Sequence, residues 1–120
     1  MVGQSMGRAL IVEDDALLIT ILNDLVEAMG FDVTSTGDAE DARRACNATT
    51  YNLVLADLKL NGDAHAGARL ADEVTHRHAA TRVVVVSGYP RPAELADDIL
   101  FLQKPFTVAQ LQRAIESFQR

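Results

Sequence analysis

Cysteine is almost absent from this 120-residue chain, and tryptophan is missing altogether. Because Cys46 is the single cysteine, neither an intrachain disulfide nor a cysteine zinc cluster can form. Basic residues are also scarce, with 11 Lys and Arg against 17 Asp and Glu and a formal net charge of −6. Binding to nucleic-acid phosphates requires clustered positive charge, so no nucleic-acid partner is expected.

Long hydrophobic runs are missing as well. No apolar stretch approaches the ~20 residues that cross a bilayer, and the first seven residues lack the charged and apolar regions of a signal peptide. We therefore expect a cytoplasmic protein with no membrane partner. Residues 1–7 are predicted to be a flexible leader, and residues 8–120 one domain large enough to bury its own core.

The chain alternates between short apolar runs and amphipathic segments. Strands are predicted at 9–12, 53–56, 83–86 and 99–102, with a weaker one at 31–34, and helices at 16–29, 39–46, 68–78 and 107–118. Continuous four-residue apolar runs are typical of strands buried on both faces of a parallel sheet. The order of elements predicts an α/β domain, a doubly wound five-stranded parallel sheet.

The connection between the last two strands departs from this regular alternation. Pro90 and Pro92 interrupt it early, and proline is poorly tolerated inside a helix. We predict either one short helix near residues 93–97 or an irregular loop.

Polar residues with chemical potential follow four of the predicted strands. In an open parallel sheet, ligands bind beyond the carboxyl ends of the strands. Clustered carboxylates there attract a divalent cation, and an aspartate can attack phosphorus. The residues at these ends are Glu13, Asp14 and Asp15, then Asp57, then Ser87 with Gly88, and finally Lys104. Of these, Asp15 is predicted to be the N-cap of the first helix.

Four short segments carry a resemblance to a known family. They are LIVEDD at 10–15, LVLADL at 53–58, VVVVSG at 83–88 and QKPF at 103–106. In this order and spacing, the chain resembles the receiver domains of two-component response regulators over almost its whole length. The resemblance implies a (βα)₅, flavodoxin-like fold with strand order 2-1-3-4-5, here of a single-domain type with an atypical short fourth helix.

The resemblance also implies roles for the acidic residues. Asp57 would be the phosphoacceptor, receiving a phosphoryl group from a phosphohistidine of a histidine kinase or a histidine phosphotransfer protein. Mg²⁺ would be held by Glu13, Asp14, Asp57 and the backbone carbonyl of Lys59. Lys104, before an expected cis bond to Pro105, would bind the phosphoryl oxygens.

Further roles follow for the residues around the acceptor. Ser87 would bind the phosphoryl group and act as the switch hydroxyl. Phe101 occupies the aromatic switch position, although a plain core role fits it equally well. Tyr89 and Lys59 flank the approach of hydrolytic water, and we hypothesise that their bulk prolongs the life of the acyl phosphate. The readout would be a changed affinity for a protein partner, and the chain would not be an enzyme, acting only on its own phosphorylation state.

Three other interpretations compete with this one. The chain could be a pseudo-receiver, meaning an interaction module that works without phosphate. It could also be a receiver excised from a hybrid histidine kinase. A hydrolase with an aspartyl-phosphate intermediate is disfavoured, because its second aspartate would stand where Lys59 does. No glycine-rich nucleotide-binding motif is present.

Overall fold

The computed structural model describes residues 6–117 as an α/β sandwich around a parallel sheet. Within these residues, the five strands lie in the order β2-β1-β3-β4-β5, which confirms the predicted topology. The strands are β1 (Gly7–Val12), β2 (Phe31–Thr36), β3 (Leu53–Asp57), β4 (Arg82–Ser87) and β5 (Leu100–Gln103), and the helices are α1 (Ala16–Ala28), α2 (Ala39–Ala48), α3 (Ala66–Arg77) and α4 (Val108–Glu116).

The sheet separates two hydrophobic layers because successive residues of a strand face opposite sides. On β1 and β3, Leu10 and Val54 join the layer beneath α2 and α3. Their neighbours Ile11 and Leu55 join the layer beneath α1 and α4. All five residues of β3 are buried, as expected for a central strand covered on both faces. Cys46 packs in the first layer.

Capping residues define where the helices begin. The carboxylate of Asp15 accepts hydrogen bonds from the N–H groups of Leu17 and Leu18, at 3.0 and 3.3 Å, which confirms it as the N-cap of α1. Thr107 and Gln110 form a reciprocal capping box at the start of α4. Since α1 begins directly after β1, the Asp15 cap leaves Glu13 and Asp14 in the short loop at the sheet edge.

The β4–β5 crossover departs from the (βα)₅ pattern that the resemblance implies. Residues 88–99, all described, contain turns but no helix, so the irregular-loop alternative is the one observed. Pro90 and Pro92 explain why a helix does not start early in this segment. Leu95 and Ile99 instead bury their side chains in the layer shared with α3, where they replace the apolar face of a crossover helix.

The chain ends bear on the predicted domain boundary. Residues 1–5 of the predicted leader and Phe118 of the predicted last helix lie outside the described residues. The last two leader residues are structured: Gly7 opens β1, and the N–H of Met6 donates to the carbonyl of Gly30 at 2.8 Å. The leader prediction therefore extended too far at Met6 and Gly7. Within residues 6–117, no helix combines the length and apolar character that a membrane span requires.

Candidate functional site

Three carboxylates converge at the carboxyl edge of the sheet. Glu13 and Asp14 follow β1, while Asp57 is the last residue of β3, the strand next to β1. One carboxylate oxygen from each residue lies within 4.8 Å of the other two. Glu13 is 1% exposed and Asp57 9%, whereas Asp14 faces solvent. The arrangement is a half-buried acidic pocket open on the Asp14 side.

Lys104 supplies the opposing positive charge. Its Nζ donates to Glu13 Oε1 and to Asp57 Oδ2, both at 3.1 Å. Its backbone N–H donates to the carbonyl of Ser87 at 2.7 Å, at the end of the β4–β5 ladder. The Lys104–Pro105 peptide bond is cis, as the resemblance implies. Lys104 thus links the acidic pocket to the end of β4.

The pKa values of Glu13 and Lys104 are set by two effects, burial of the charged group and the charges of its neighbours. Burial, followed by the negative charge of Asp57, raises the pKa of Glu13 to about 7. Burial also lowers the pKa of Lys104, but its hydrogen bond to Asp57 and the two carboxylate charges reverse this, so its pKa is raised overall. Three carboxylates thus face a single ammonium group, and this excess of negative charge favours the binding of a cation.

The donor set fits Mg²⁺. Carboxylate oxygens are the ligands that this hard cation prefers, and it commonly binds through few protein ligands while keeping several waters. Glu13, Asp14 and Asp57 supply such oxygens within one small pocket, and the exposure of Asp14 leaves room for water on one side.

Ser87 lies at the same edge on the neighbouring strand. The register pairs Asp57 with Val86, so Ser87 is one position beyond the residue opposite Asp57. It is 2% exposed, and its Oγ accepts the N–H of Tyr89 at 3.0 Å. Since Oγ serves as the acceptor in this contact, the hydroxyl proton remains available for another oxygen.

The other predicted residues differ in exposure. Phe101, on β5, is half-buried and packs against the same layer as Leu95 and Ile99. Tyr89 is 66% exposed, and the side chain of Lys59 is exposed in the bend after β3. Among residues 6–117, neither side chain forms a hydrogen bond or an ion pair with Glu13, Asp14 or Asp57.

Two features of the β3–α3 connection were missed in the sequence. The backbone N–H of Asn61 donates to Asp14 Oδ2 at 2.9 Å. Gly67, in the first turn of α3, packs so tightly that a Cβ there would lie 2.1 Å from the carbonyl oxygen of Asp57. The Asn-Gly pair at 61–62 is a turn signal that could have suggested the first. The second depends on close backbone packing, for which an isolated glycine is only a weak hint.

Taken together, the sheet order and the acidic edge define an α/β domain with three carboxylates and one lysine gathered at its switch point. The chain matches the family model of the response regulator receiver domain over residues 9–116, and it belongs to that family. Receiver domains are signalling domains of two-component response regulators.

Curated relatives are longer proteins. The transcriptional activator protein PfeR of Pseudomonas aeruginosa is 32% identical over 94% of this chain and 38% of its own length. The transcriptional regulatory protein PdtaR of Mycobacterium tuberculosis is 29% identical over 91% of this chain and 55% of its own length. The chain thus spans about half or less of the relatives it matches.

Solved structures agree with the fold. A CheY-like receiver domain from Methylobacillus flagellatus is 27% identical with a TM-score of 0.77, covering 98% of this chain and 100% of that one. The response regulator TrrA of Thermotoga maritima, solved in complex with Mg²⁺–BeF, is 18% identical with a TM-score of 0.83, covering 94% and 99%.

Proposed function

We propose that this domain is a Mg²⁺-dependent phosphorylation switch in which Asp57 accepts a phosphoryl group from a phosphohistidine. The observation that carries the proposal is the convergence of three carboxylates and one ammonium at a single edge of the sheet. The donor would be a histidine kinase or a histidine phosphotransfer protein, in keeping with the family.

The transfer step needs a positioned nucleophile and charge stabilisation. One oxygen of the Asp57 carboxylate bonds to phosphorus while the bond from phosphorus to the imidazole nitrogen breaks. That nitrogen keeps the electron pair and takes up a proton. Lys104 Nζ already donates a hydrogen bond to Asp57. During transfer it would donate to a phosphoryl oxygen instead, where its positive charge would stabilise the developing negative charge.

The cation would be held by Glu13, Asp14 and Asp57, with the backbone carbonyl of Lys59 as a further ligand. When bound, Mg²⁺ would neutralise phosphoryl charge that one lysine cannot balance alone. The excess of carboxylates over ammonium groups in the pocket supports this assignment.

The switch would begin at Ser87. Its hydroxyl would donate to a phosphoryl oxygen, and this shift would move Tyr89, whose N–H is bonded to Ser87 Oγ. Phe101 packs against the same layer as the β4–β5 crossover, so a moved crossover would change its surroundings. The output would be a changed affinity for a protein partner.

Phosphorylation with a small-molecule donor tests the proposal. Acetyl phosphate with Mg²⁺ is expected to add one phosphoryl group to the wild-type protein and none to Asp57→Asn, as measured by intact mass. Asp32→Asn, an exposed aspartate on β2, is a matched control that should be modified normally. Uptake by Asp57→Asn would refute Asp57 as the acceptor, and no uptake by any protein would favour the phosphate-independent interaction module.

The lifetime of the phosphorylated form has a separate test. If the bulk of Tyr89 shields the acyl phosphate from water, Tyr89→Ala should shorten its half-life several-fold, while Tyr89→Phe should keep it. Decay is followed by mass after removal of the donor. The same comparison applies to Lys59→Ala. An unchanged half-life in both alanine variants would contradict the shielding hypothesis.

A further inference from the structure

A tight turn lies directly behind the acidic pocket. Leu60 and Asp63 exchange backbone hydrogen bonds of 3.1 and 3.0 Å, and the two residues between them complete a miniature hairpin. Asn61 has φ +52° and Gly62 has φ +82°. Two successive positive φ angles define a type I′ turn, for which Asn-Gly is the preferred pair.

Both ends of this turn are anchored. Leu60 is 2% exposed and packs in the layer beneath α2 and α3. The carboxylate of Asp63 accepts the N–H of His65 at 2.9 Å and a hydrogen bond from the guanidinium of Arg69 on α3. The turn is therefore held between the core and α3.

The turn directs one N–H group at the pocket. Asn61 donates it to Asp14 Oδ2 at 2.9 Å. The other two carboxylates are held differently: Glu13 and Asp57 share Lys104, and Glu13 also accepts the N–H of Asp15 at 3.2 Å. Asp14 thus takes its hydrogen bond from the β3–α3 connection, across 47 positions of sequence.

We infer that the turn at residues 60–63 is a positioning element of the metal pocket. The Asn61 amide holds one oxygen of the exposed Asp14 carboxylate and leaves its second oxygen directed to a cation. A hydrogen bond to a charged group is strong enough to restrict an exposed side chain, and fixing a ligand before binding raises affinity. The inference rests on the proposed Mg²⁺ site and adds a backbone group to it.

The test varies the turn without touching a carboxylate. Asn61→Gly keeps the N–H and the positive φ, and it should bind Mg²⁺ within about twofold of wild type. Asn61→Val keeps the N–H but disfavours φ +52°, and its Kd should rise roughly tenfold or more, the value of one charge-assisted hydrogen bond. Amide-shift titration with MgCl₂ at 25 °C reports each Kd.

A second variant covers the case in which Asn61→Val does not fold. Gly62→Ala meets no atom within 4 Å, so its cost is confined to the backbone conformation at φ +82°, and its Kd should also rise. As a readout without metal, the Asn61 amide resonance should move in Asp14→Asn while that of Arg77 at the far end of α3 stays.

The outcomes separate the two ideas. If wild type binds Mg²⁺ and the turn variants bind equally well, the positioning role is refuted while the proposed function stands. If wild type binds no Mg²⁺, the proposed function fails and the inference fails with it. Weaker binding in Asn61→Val and Gly62→Ala, with Asn61→Gly unchanged, supports it.

Discussion

The two connections that leave the centre of the sheet differ in how their backbone is held. The β3–β4 connection contains α3, a helix that satisfies its own backbone and places Gly67 against the end of β3. The β4–β5 crossover has no helix within described residues 88–99. There the guanidinium of Arg91 donates to the carbonyls of Ala96, Ile99 and Leu95, at 2.7, 2.9 and 3.4 Å.

This difference follows from what each segment can bury. A helix brings its own hydrogen bonds to the sheet, so only its apolar stripe has to fit. A loop must find donors for its carbonyls, and arginine offers several in one plane. The end of β3 is thus held by backbone packing, whereas three carbonyls of the crossover beside Ser87 are bonded by one side chain, that of Arg91. The following predictions test that contrast, from the largest expected effect to the smallest.

The largest effect is expected at Gly67. In Gly67→Ala, the new Cβ would lie 2.1 Å from the carbonyl oxygen of Asp57 and 2.7 Å from Leu58 Cα. Because backbone atoms of β3 would have to move to relieve this clash, the free energy of unfolding should fall by about 3 kcal/mol or more. Urea denaturation measures it. Gly88→Ala, where nothing lies within 4 Å of the new Cβ, should lose no more than about 0.5 kcal/mol. Equal losses would contradict the packing argument.

A second effect concerns how the free energy of unfolding depends on pH through the buried carboxylate of Glu13. Burial and the charge of Asp57 raise the pKa of Glu13 from an ordinary 4.5 to about 7. The folded state then binds this proton more tightly than the unfolded state does. The contribution of Glu13 to stability must therefore fall as pH rises from about 4.5 to about 7, by on the order of 3 kcal/mol, and then level off.

Denaturation in metal-free buffer across this range checks the sign. Other groups also titrate in this range. The quantity to compare is therefore the free energy of unfolding of the wild type minus that of Glu13→Gln at each pH. This difference should fall as pH rises from about 4.5 to about 7, and a difference that does not change with pH would show that Glu13 is not responsible for the slope. Arg91→Met should keep the wild-type slope, because Arg91 bonds to carbonyls of the crossover and not to the acidic pocket.

The smallest of the three effects belongs to the crossover itself. Arg91→Met keeps much of the aliphatic stem but leaves the carbonyls of Ala96 and Ile99 without this donor, and we expect a loss of about 1–2 kcal/mol. Amide exchange should quicken within residues 88–99 while α3 stays protected. Arg44→Met is the matched control: its guanidinium pairs with Asp41 on the surface of α2, so little change is expected. The same loss in both variants would contradict the claim that the bonds of Arg91 to the carbonyls stabilise the crossover.

Much of the fold could be predicted from local pattern. The apolar runs located four strands to within two residues at each end, and the weaker strand at residues 31–34 also formed, as part of β2. The roles of Asp15 and Thr107 as caps were predictable because capping depends on residues two or three positions apart. The convergence of Glu13, Asp14, Asp57 and Lys104 followed from the parallel sheet, since the carboxyl ends of its strands share one edge.

The β4–β5 crossover shows where local pattern stops. Pro90 and Pro92 argued against an early helix, yet a short helix and a loop remained equally compatible with the residues that follow. What decides between them is the place that Leu95 and Ile99 find in the core and the carbonyls that Arg91 reaches. These contacts depend on the neighbouring strand and α3, which hydropathy does not record.

The amino-acid sequence by itself determined the alternation of strands and helices, the parallel sheet, the family and the residues at its acidic edge, because periodicity, capping and strand ends are local properties. Only the tertiary structure decided that Asn61 holds Asp14, that Gly67 lies on the backbone of Asp57 and that Arg91 organises a crossover without a helix. Each of these is a contact with backbone atoms, whose positions follow from the packing of the whole sheet.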